Sequence, residues 1–228
     1  MASLCQNVAM NQELSNTPAL TRSYRGQSQE QRRAERRSRL MAGAIAVYGE
    51  RGYHQATVKA VCESAGLTER YFYESFANSE ALLIDSYNAV TYSVLGEILR
   101  AGEAAGRGQV ARARAMLHAY FAALQREPQS ARVFLVEIRG VSRAVDQAFD
   151  ASLRAIGREV ARVLASDAAD DELLQAGVIG GVIHIAMRWI EDGYQPPIER
   201  AVETALRLGT ALATSPRART RRAATQVV

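Results

Sequence analysis

The sequence has little of what zinc-binding, disulfide-bonded or membrane-spanning proteins require. Among 228 residues there are two cysteines and three histidines, and no CxxC pair occurs, so neither a metal site nor a disulfide is predicted. Cys5 lies in a polar leader, whereas Cys62 lies in a helical pattern. No apolar run reaches the roughly 18 residues that span a bilayer, and residues 1–19 lack the pattern of a signal peptide. We therefore expect a cytoplasmic protein without a membrane segment.

Motifs of enzymatic catalysis are also missing. The sequence contains no GxSxG, HExxH or Walker loop, and His54, His118 and His184 are scattered along the chain. The glycine-rich segment 177–181 lacks the lysine and the preceding strand of a phosphate-binding loop. We therefore expect a protein that is not an enzyme and that has no catalytic residue, metal or cofactor.

Positive charge is concentrated towards the two ends of the chain. Residues 22–51 hold eight arginines against three glutamates, and residues 216–228 hold four arginines and no acid. Cations that neutralise phosphates supply most of the non-specific affinity of a protein for DNA. The distribution favours a polyanionic partner for the N-terminal part, although a solvated arginine-rich surface would have the same composition.

Apolar residues recur at helical spacing along most of the chain, which predicts an all-α fold. We expect a disordered leader with a basic end (1–28), a helix-turn-helix DNA-binding domain (29–79), a helical ligand-binding and dimerisation domain (80–215) and a disordered basic tail (216–228). Beyond residue 79, the predicted helices cover residues 80–103, 109–126, 131–165 with a break at Gly140, 171–192 and 198–214.

Residues 29–76 have the pattern of three helices, of which the last two are short. The first begins after Ser28 and ends at Gly52. Thr57 is a good N-cap for the second, and Gly66 suits the left-handed backbone that ends it. Thr68 is a good N-cap for the third helix, which continues to Phe76. Two short capped helices joined at a glycine predict a helix-turn-helix.

The same residues resemble the TetR (tetracycline repressor) family. The similarity covers about residues 36–83, and it implies an N-terminal three-helix DNA-binding domain followed by a helical domain for ligand binding and dimerisation. It rests on the segment from Arg39 to Tyr53 (RLMAGAIAVYGERGY), the pair Thr57-Val58, Val61, the run AGLT at 65–68, Tyr73, Phe76 and the pair Leu82-Leu83.

DNA contacts are expected from the start of the second helix of the motif, because the N-terminal end of such a helix enters the major groove. Arg70 is the candidate for reading a guanine, although a surface ion pair with Glu74 would also explain it. Thr57 and Tyr73 are expected to contact phosphates and to position the protein. The predicted base-reading residues are Thr68, Glu69, Arg70 and Tyr71, and the arm or backbone contacts are Arg22, Arg25, Arg32 and Arg36.

One position departs from the family pattern. The family usually has a lysine that meets the DNA backbone just before the acidic residue after the motif, and here that position is Ser79. The resemblance therefore implies that one phosphate contact is missing. The arginines of the first helix and of the arm are expected to compensate for it.

The C-terminal half holds candidates for a dimer interface and a ligand pocket. A seam at four- and three-residue spacing resembles a coiled coil, and small residues let helices approach closely, although both helices could merely close the monomer core. The dimer candidates are Gly177, Gly181, Ile198, Val202, Ala205, Gly209 and Leu212. Aromatic, methionine, imidazole and carboxylate side chains suggest a pocket, although aromatic residues at this spacing are more often core. The pocket candidates are Tyr87, Tyr92, His118, Phe121, Phe134, Glu137 and Met187, and Tyr120 and Trp189 belong to the same set of middle-helix residues.

These patterns predict a ligand-responsive, sequence-specific DNA-binding regulator. The resemblance implies a homodimer on a palindromic operator of double-stranded DNA and repression that is released by a small molecule. It also implies that ligand binding moves the helix at about residues 80–103 and changes the distance between the recognition helices. The alternative is a helical protein-interaction module whose helix-turn-helix no longer binds DNA.

Overall fold

The computed structural model describes residues 28–164 and 171–213, and this part of the chain is almost entirely helical. It contains no strand, which confirms the predicted all-α class. A 3-10 turn (Tyr53–Gln55) follows the first helix, and a π-helical turn (Val133–Glu137) follows the sixth. In order, the helices are α1 (Gln29–Arg51), α2 (Val58–Ala65), α3 (Glu69–Ser75), α4 (Ser79–Ala104), α5 (Gln109–Arg126), α6 (Pro128–Arg132), α7 (Arg143–Leu164), α8 (Glu172–Glu191) and α9 (Ile198–Ala213).

Local capping sets the helix ends in the N-terminal part. Ser28 and Gln31 form a reciprocal capping box at the start of α1, and α1 ends at Gly52, where φ is +83°. The Thr57 side chain accepts a hydrogen bond from Ala60 N at the start of α2. These contacts satisfy backbone groups that have no partner within the helix itself. The predicted caps at Ser28 and Thr57 are therefore confirmed.

The first three helices share one core. Leu40, Ala44, Val61 and Phe72 are fully or almost fully buried between α1, α2 and α3. At Gly43 the backbone of α1 approaches α2 so closely that a β-carbon would lie 2.9 Å from Val61 O. Because α2 and α3 are too short to be stable alone, α1 holds the pair in place.

The long helix α4 belongs to both halves of the molecule. Near its start, Leu82 and Leu83 are fully buried in the hydrophobic core, and Tyr87 follows one turn later. Further along, α4 packs against α5 and α7. The C-terminal helices and the N-terminal unit are therefore connected by one continuous helix.

The expected helix over residues 131–165 is in fact interrupted. The chain forms α6, then the π-helical turn, then a loop in which Gly140 has a φ of +71°, and then α7. The predicted break at Gly140 is thus confirmed, but the break is longer than expected. The segment leaves the helical path because α6 and the π-helical turn dock against α1.

Candidate functional site

The turn between α2 and α3 has the geometry of a helix-turn-helix. Gly66 is left-handed, with a φ of +62°, and Leu67 N donates to Cys62 O at 2.9 Å. Thr68 occupies the N-cap position of α3, but its side chain makes no capping hydrogen bond. The expected Thr68 side-chain cap is therefore wrong, and the exposed hydroxyl is available for contacts outside the chain.

Helix α3 has a buried face and an exposed face. Phe72 and Phe76 are 0% and 3% exposed, whereas the neighbouring Tyr73 is 63% exposed. Arg70 lies on the outer face and donates from Nε to Glu74 Oε1 at 2.9 Å. The ion pair weighed as an alternative at Arg70 is therefore present. An exposed pair of this kind stabilises a helix weakly, so little stability depends on it.

Several arginines of α1 hold the helix-turn-helix together. Arg39 donates to the carbonyls of Ala65 and Gly66, where α2 ends. Arg37 contacts Ser75 O and the Asp85 carboxylate, and thus connects the end of α3 to α4. A guanidinium at a helix C-terminus pairs with unsatisfied carbonyls and complements the helix dipole. This part of the basic charge is structural.

The predicted arm and backbone contacts have different positions. The guanidinium of Arg36 lies 4.6 Å from the ring centroid of Tyr71, and Arg32 is exposed on the first turn of α1. Arg22 and Arg25 lie outside the described residues. Because the Arg36 guanidinium covers the Tyr71 ring, these two predicted contact residues form one unit at the edge of α3.

Ser79 is the first residue of α4, and the preceding Asn78 caps that helix. Asn78 Oδ1 accepts from Ala81 N at 2.8 Å. The start of α4 is therefore capped with serine at position 79, and this first position of the helix carries no cation.

The C-terminal half encloses a half-open apolar cavity of about 270 Å³, close to the lower end of the roughly 300–1,000 Å³ typical of small-molecule sites. Helices α4, α5, α7, α8 and α9 supply most of its wall. The polar residues in the wall are Thr91, Gln109, Tyr120, Gln175 and Thr210, and the others include Val94, Ile98, Met116, Phe134, Ile156, Val182 and Leu206.

Of the predicted pocket candidates, the structure brings one to the cavity and places the others elsewhere. Phe134 lines it, and Tyr87 and Phe121 are fully buried outside its lining. Met187 also lies outside the lining and is within 3.8 Å of an Arg139 nitrogen. Tyr92, which is 73% exposed, and His118 and Glu137 are not cavity residues either. Helical spacing identified aromatic residues but did not separate core, surface and cavity.

Glu137 instead joins the two halves of the molecule. Its carboxylate accepts from Tyr53 N at 2.7 Å and from Arg132 Nε at 2.9 Å. Arg132 in turn donates to Gly49 O, near the end of α1. A β-carbon on Gly49 would lie 2.7 Å from Gln129 Cα, so the backbones of α1 and α6 touch here. We call this contact of Gly49, Tyr53, Arg132 and Glu137 the inter-domain clasp.

Sequence reasoning included Tyr120 among the aromatic residues that could line a pocket, but it placed Arg132 in no site. Tyr120 lines the cavity, and its hydroxyl is buried without a hydrogen-bond partner among the described residues. Burial raises the pKa of Tyr120, with a smaller contribution from Tyr87, so the phenol stays protonated. An arginine at the end of a five-residue helix is unremarkable in a sequence, because its partners lie on α1.

The predicted dimer seam on α9 faces the core of its own chain. Val202 and Ala205 are 2% and 1% exposed, and a β-carbon on Gly181 would lie 2.5 Å from Leu208 Cδ2. Ile198 is half-buried, Gly209 lines the cavity, and the side chain of Leu212 lies outside the described residues. Of the predicted dimer residues, Gly177 lies exposed, with no atom near the position of a β-carbon.

The outer side of α8 is exposed and carries one large apolar side chain with small residues beside it. Leu173 is 87% exposed, and Gly177, Gly180 and His184 continue the same stripe at four- and three-residue spacing. By length and mean hydropathy (1.5) α8 could cross a membrane, which is weak evidence because helices of soluble proteins pass the same test; 17% of the tested window is buried. We call Leu173, Gly177, Gly180 and His184 the α8 stripe.

Within the described residues, no group of three histidine, cysteine, aspartate or glutamate side chains could hold a metal ion. Cys62 is buried in α2, and burial raises the pKa of its thiol. It is therefore a packing residue.

The N-terminal helices match a known protein family in sequence. Residues 40–85 match the sequence model of the family described as bacterial regulatory proteins, tetR family, and no curated protein matches the chain. The match includes the end of α1, the helix-turn-helix and the start of α4. The predicted resemblance to this family is confirmed for the segment that carries it.

Solved structures are similar over most of the described chain. The fatty acid degradation regulator FadR from Bacillus halodurans has a TM-score of 0.67 at 18% identity, covering 80% of this chain and 96% of that one. FadR from Bacillus subtilis, solved with stearoyl-CoA, has a TM-score of 0.66 at 18% identity, covering 79% and 99%. A tetR-family regulator from Streptomyces coelicolor has a TM-score of 0.63 at 17% identity, covering 78% and 80%. The chain thus joins a tetR-family helix-turn-helix segment to the overall fold of TetR-type transcriptional regulators.

Proposed function

We propose that the protein is a homodimeric, sequence-specific DNA-binding regulator that a small molecule releases from a palindromic operator. The observation that carries the proposal is α3 itself, whose buried phenylalanines fix an outer face bearing Thr68, Glu69, Arg70, Tyr71 and Tyr73. Helix α3 is followed directly in the chain by α4, the same helix that lines the apolar cavity further along. We keep the expected boundary between the two domains at residues 79 and 80.

The roles on DNA follow from position. Arg70 can exchange Glu74 for the O6 and N7 atoms of a guanine, which is the commonest specific contact in the major groove. Thr57 offers the N-terminus of α2 to a phosphate, and Tyr73 offers an exposed phenol. The Arg36–Tyr71 pair lies at the edge of the same face. In this proposal some groups read the base sequence and others position the protein on the phosphates, as in protein–DNA interfaces generally.

Dimerisation is proposed through the α8 stripe. An exposed large apolar side chain such as Leu173 favours burial against a partner, and glycines let two helices approach closely. This assignment keeps the α8 part of the predicted interface, with Gly177, and gives up the inward-facing seam of α9. In a dimer the two recognition helices must lie about one DNA turn apart, roughly 34–36 Å.

The stripe can be tested with Gly180→Arg. A side chain there has space within the monomer, because no atom lies within 4 Å of the β-carbon position. We expect a folded protein whose molar mass, measured by sedimentation, falls to that of a monomer. The exposed Ala151 on α7 supplies the control, Ala151→Arg, which should stay dimeric. A Gly180→Arg protein that sediments as a dimer would place the interface elsewhere.

Ligand control is proposed to act from the cavity on α4 and on the inter-domain clasp. Phe134 lines the cavity and stacks on Tyr87 of α4 with ring centroids 5.7 Å apart. Glu137 lies at the end of the π-helical turn that contains Phe134. Turns of this kind often occur at functional sites. A ligand that shifts Phe134 would therefore disturb both α4 and the inter-domain clasp, which connect the cavity to the N-terminal unit. The stearoyl-CoA complex of the Bacillus subtilis FadR supports a ligand with a long apolar chain in this fold.

Repression and a cytoplasmic location are parts of the same proposal, as expected of a regulator that acts on DNA. The test is selection of bound fragments from the source genome at about 0.1 M salt, where non-specific binding is already weakened. We expect enrichment of fragments that share one inverted repeat. Enrichment of none would contradict DNA binding and favour the interaction module, for which the missing lysine at Ser79 is the supporting observation.

A further inference from the structure

The wall of the cavity is uncharged. Among the described residues that form it there is no Asp, Glu, Lys, Arg or His. A carboxylate, phosphate or ammonium group inside would therefore lose its water without gaining a counter-charge, which is strongly unfavourable. Whatever fills the interior of the cavity must be neutral there.

One polar group in this wall lacks a partner. The Tyr120 hydroxyl is buried and makes no hydrogen bond with the described residues, and the residue is 6% exposed. Thr91, the nearest comparison, differs because its hydroxyl already donates to Tyr87 O at 2.8 Å. A buried hydroxyl without a partner is costly, and an acceptor that reaches it recovers that cost. The Tyr120 hydroxyl can therefore donate a hydrogen bond to an acceptor on a ligand.

The cavity lining includes residues along α5 from Gln109 to Tyr120. Gln109 and Val110, at the start of α5, are exposed, whereas Tyr120 is buried. The eleven positions from Gln109 to Tyr120 correspond to about 16 Å at about 1.5 Å per residue. Between these ends the wall is apolar, with Ala113, Met116 and Leu117 on α5.

We propose that the cavity binds an uncharged, elongated, apolar molecule with a hydrogen-bond acceptor, such as a ketone or ester oxygen, at its inner end. Tyr120 donates to that oxygen, and the apolar body extends towards Gln109. The hydroxyl is covered in this structure, so the proposal requires the Tyr120 ring or its neighbours to move before the contact forms. The inference rests on the proposed function for the cavity being a ligand site, and it adds the chemical class of the ligand.

Calorimetric titration of the full chain with methyl decanoate, and with decanoate at pH 8, tests the proposal. The two probes differ in the charge at the polar end. We expect methyl decanoate to bind at least about 30-fold more tightly, because the decanoate carboxylate finds no cation in the wall. Equal affinities would mean that the head group lies outside the cavity and would overturn the proposal. Failure of methyl decanoate to bind would overturn it as well.

The variant Tyr120→Phe tests the acceptor. It should weaken methyl decanoate binding by about 3- to 10-fold, as expected for one neutral hydrogen bond. Its melting temperature should not fall, because the hydroxyl it removes has no partner. The matched control, Tyr194→Phe, removes a tyrosine hydroxyl that lies outside the cavity lining and donates to Leu124 O, and it should leave the affinity unchanged. Unaltered binding by Tyr120→Phe, or an equal loss in both variants, contradicts a specific role for Tyr120.

These titrations contain no DNA, so their outcome is separate from that of the fragment selection. If fragments are enriched but methyl decanoate does not bind, the ligand class is wrong and the regulator stands. If methyl decanoate binds and no fragment is enriched, the ligand class stands and the DNA-binding proposal fails.

Discussion

Replacing Phe72 with alanine is expected to abolish specific DNA binding and to destabilise the N-terminal unit by about 3–5 kcal/mol, the usual cost of truncating a fully buried phenylalanine. Phe72 is 0% exposed and contacts Tyr73 and Phe76 at ring-centroid distances of 5.1 and 6.1 Å. Without it, the seven-residue α3 has too little packing to stay ordered. Urea unfolding and a binding titration with an enriched fragment measure the two effects.

The adjacent residue provides the control. Tyr73 is 63% exposed, so Tyr73→Ala should leave the free energy of unfolding within about 0.5 kcal/mol of the wild type, as surface substitutions usually do. Its DNA affinity should fall moderately through loss of the phenol. If Phe72→Ala keeps wild-type affinity, α3 is not the element that carries DNA binding.

Replacing Glu137 with alanine is expected to uncouple the two halves of the chain. The variant leaves Tyr53 N without its acceptor and Arg132 without its carboxylate, and an unsatisfied buried donor costs about 1–3 kcal/mol. For a protein of this size such a loss lowers the melting temperature by about 3–10 °C. Scanning calorimetry should also resolve a separate transition for the N-terminal unit.

Glu137→Gln is the matched variant, because its amide oxygen can still accept from Tyr53 N while the charge opposite Arg132 is lost. We expect its melting temperature to lie between those of the wild type and Glu137→Ala. In the proposed mechanism, Glu137→Ala still binds methyl decanoate but responds to it with a smaller change in DNA affinity. A single transition at the wild-type temperature in both variants would show that the clasp does not couple the domains.

The features that could be predicted from the sequence are those that neighbouring residues determine. Thr57 caps α2 through a residue three positions away, and Gly66 ends it because a left-handed backbone suits glycine. The split between the buried Phe72 and the exposed Tyr73 follows from helical geometry over one short segment. The helix-turn-helix could therefore be predicted from the sequence, and so could the end of α1 at Gly52.

Features that depend on distant partners could not be predicted in the same way. Glu137 looked like a pocket carboxylate, because its partner Tyr53 is 84 positions away in the chain. The spacing of Val202 and Ala205 correctly indicated an apolar face on α9, but spacing alone does not say whether the same chain or a second copy covers it. The cavity poses the same difficulty, since Tyr120 and Phe121 have similar sequence surroundings and different environments.

The central claim is that the outer face of α3 reads DNA, and titration of an enriched fragment and its scrambled counterpart by fluorescence anisotropy tests it most directly. For the wild type we predict an affinity for the fragment at least about 1,000-fold above that for the scrambled duplex. Arg70→Ala should reduce the affinity for the enriched fragment by about 5- to 150-fold. It should change the affinity for the scrambled duplex by less than about three-fold, because the contact that it removes is to a base and not to a phosphate. Equal affinity of the wild-type protein for the two duplexes would contradict the account.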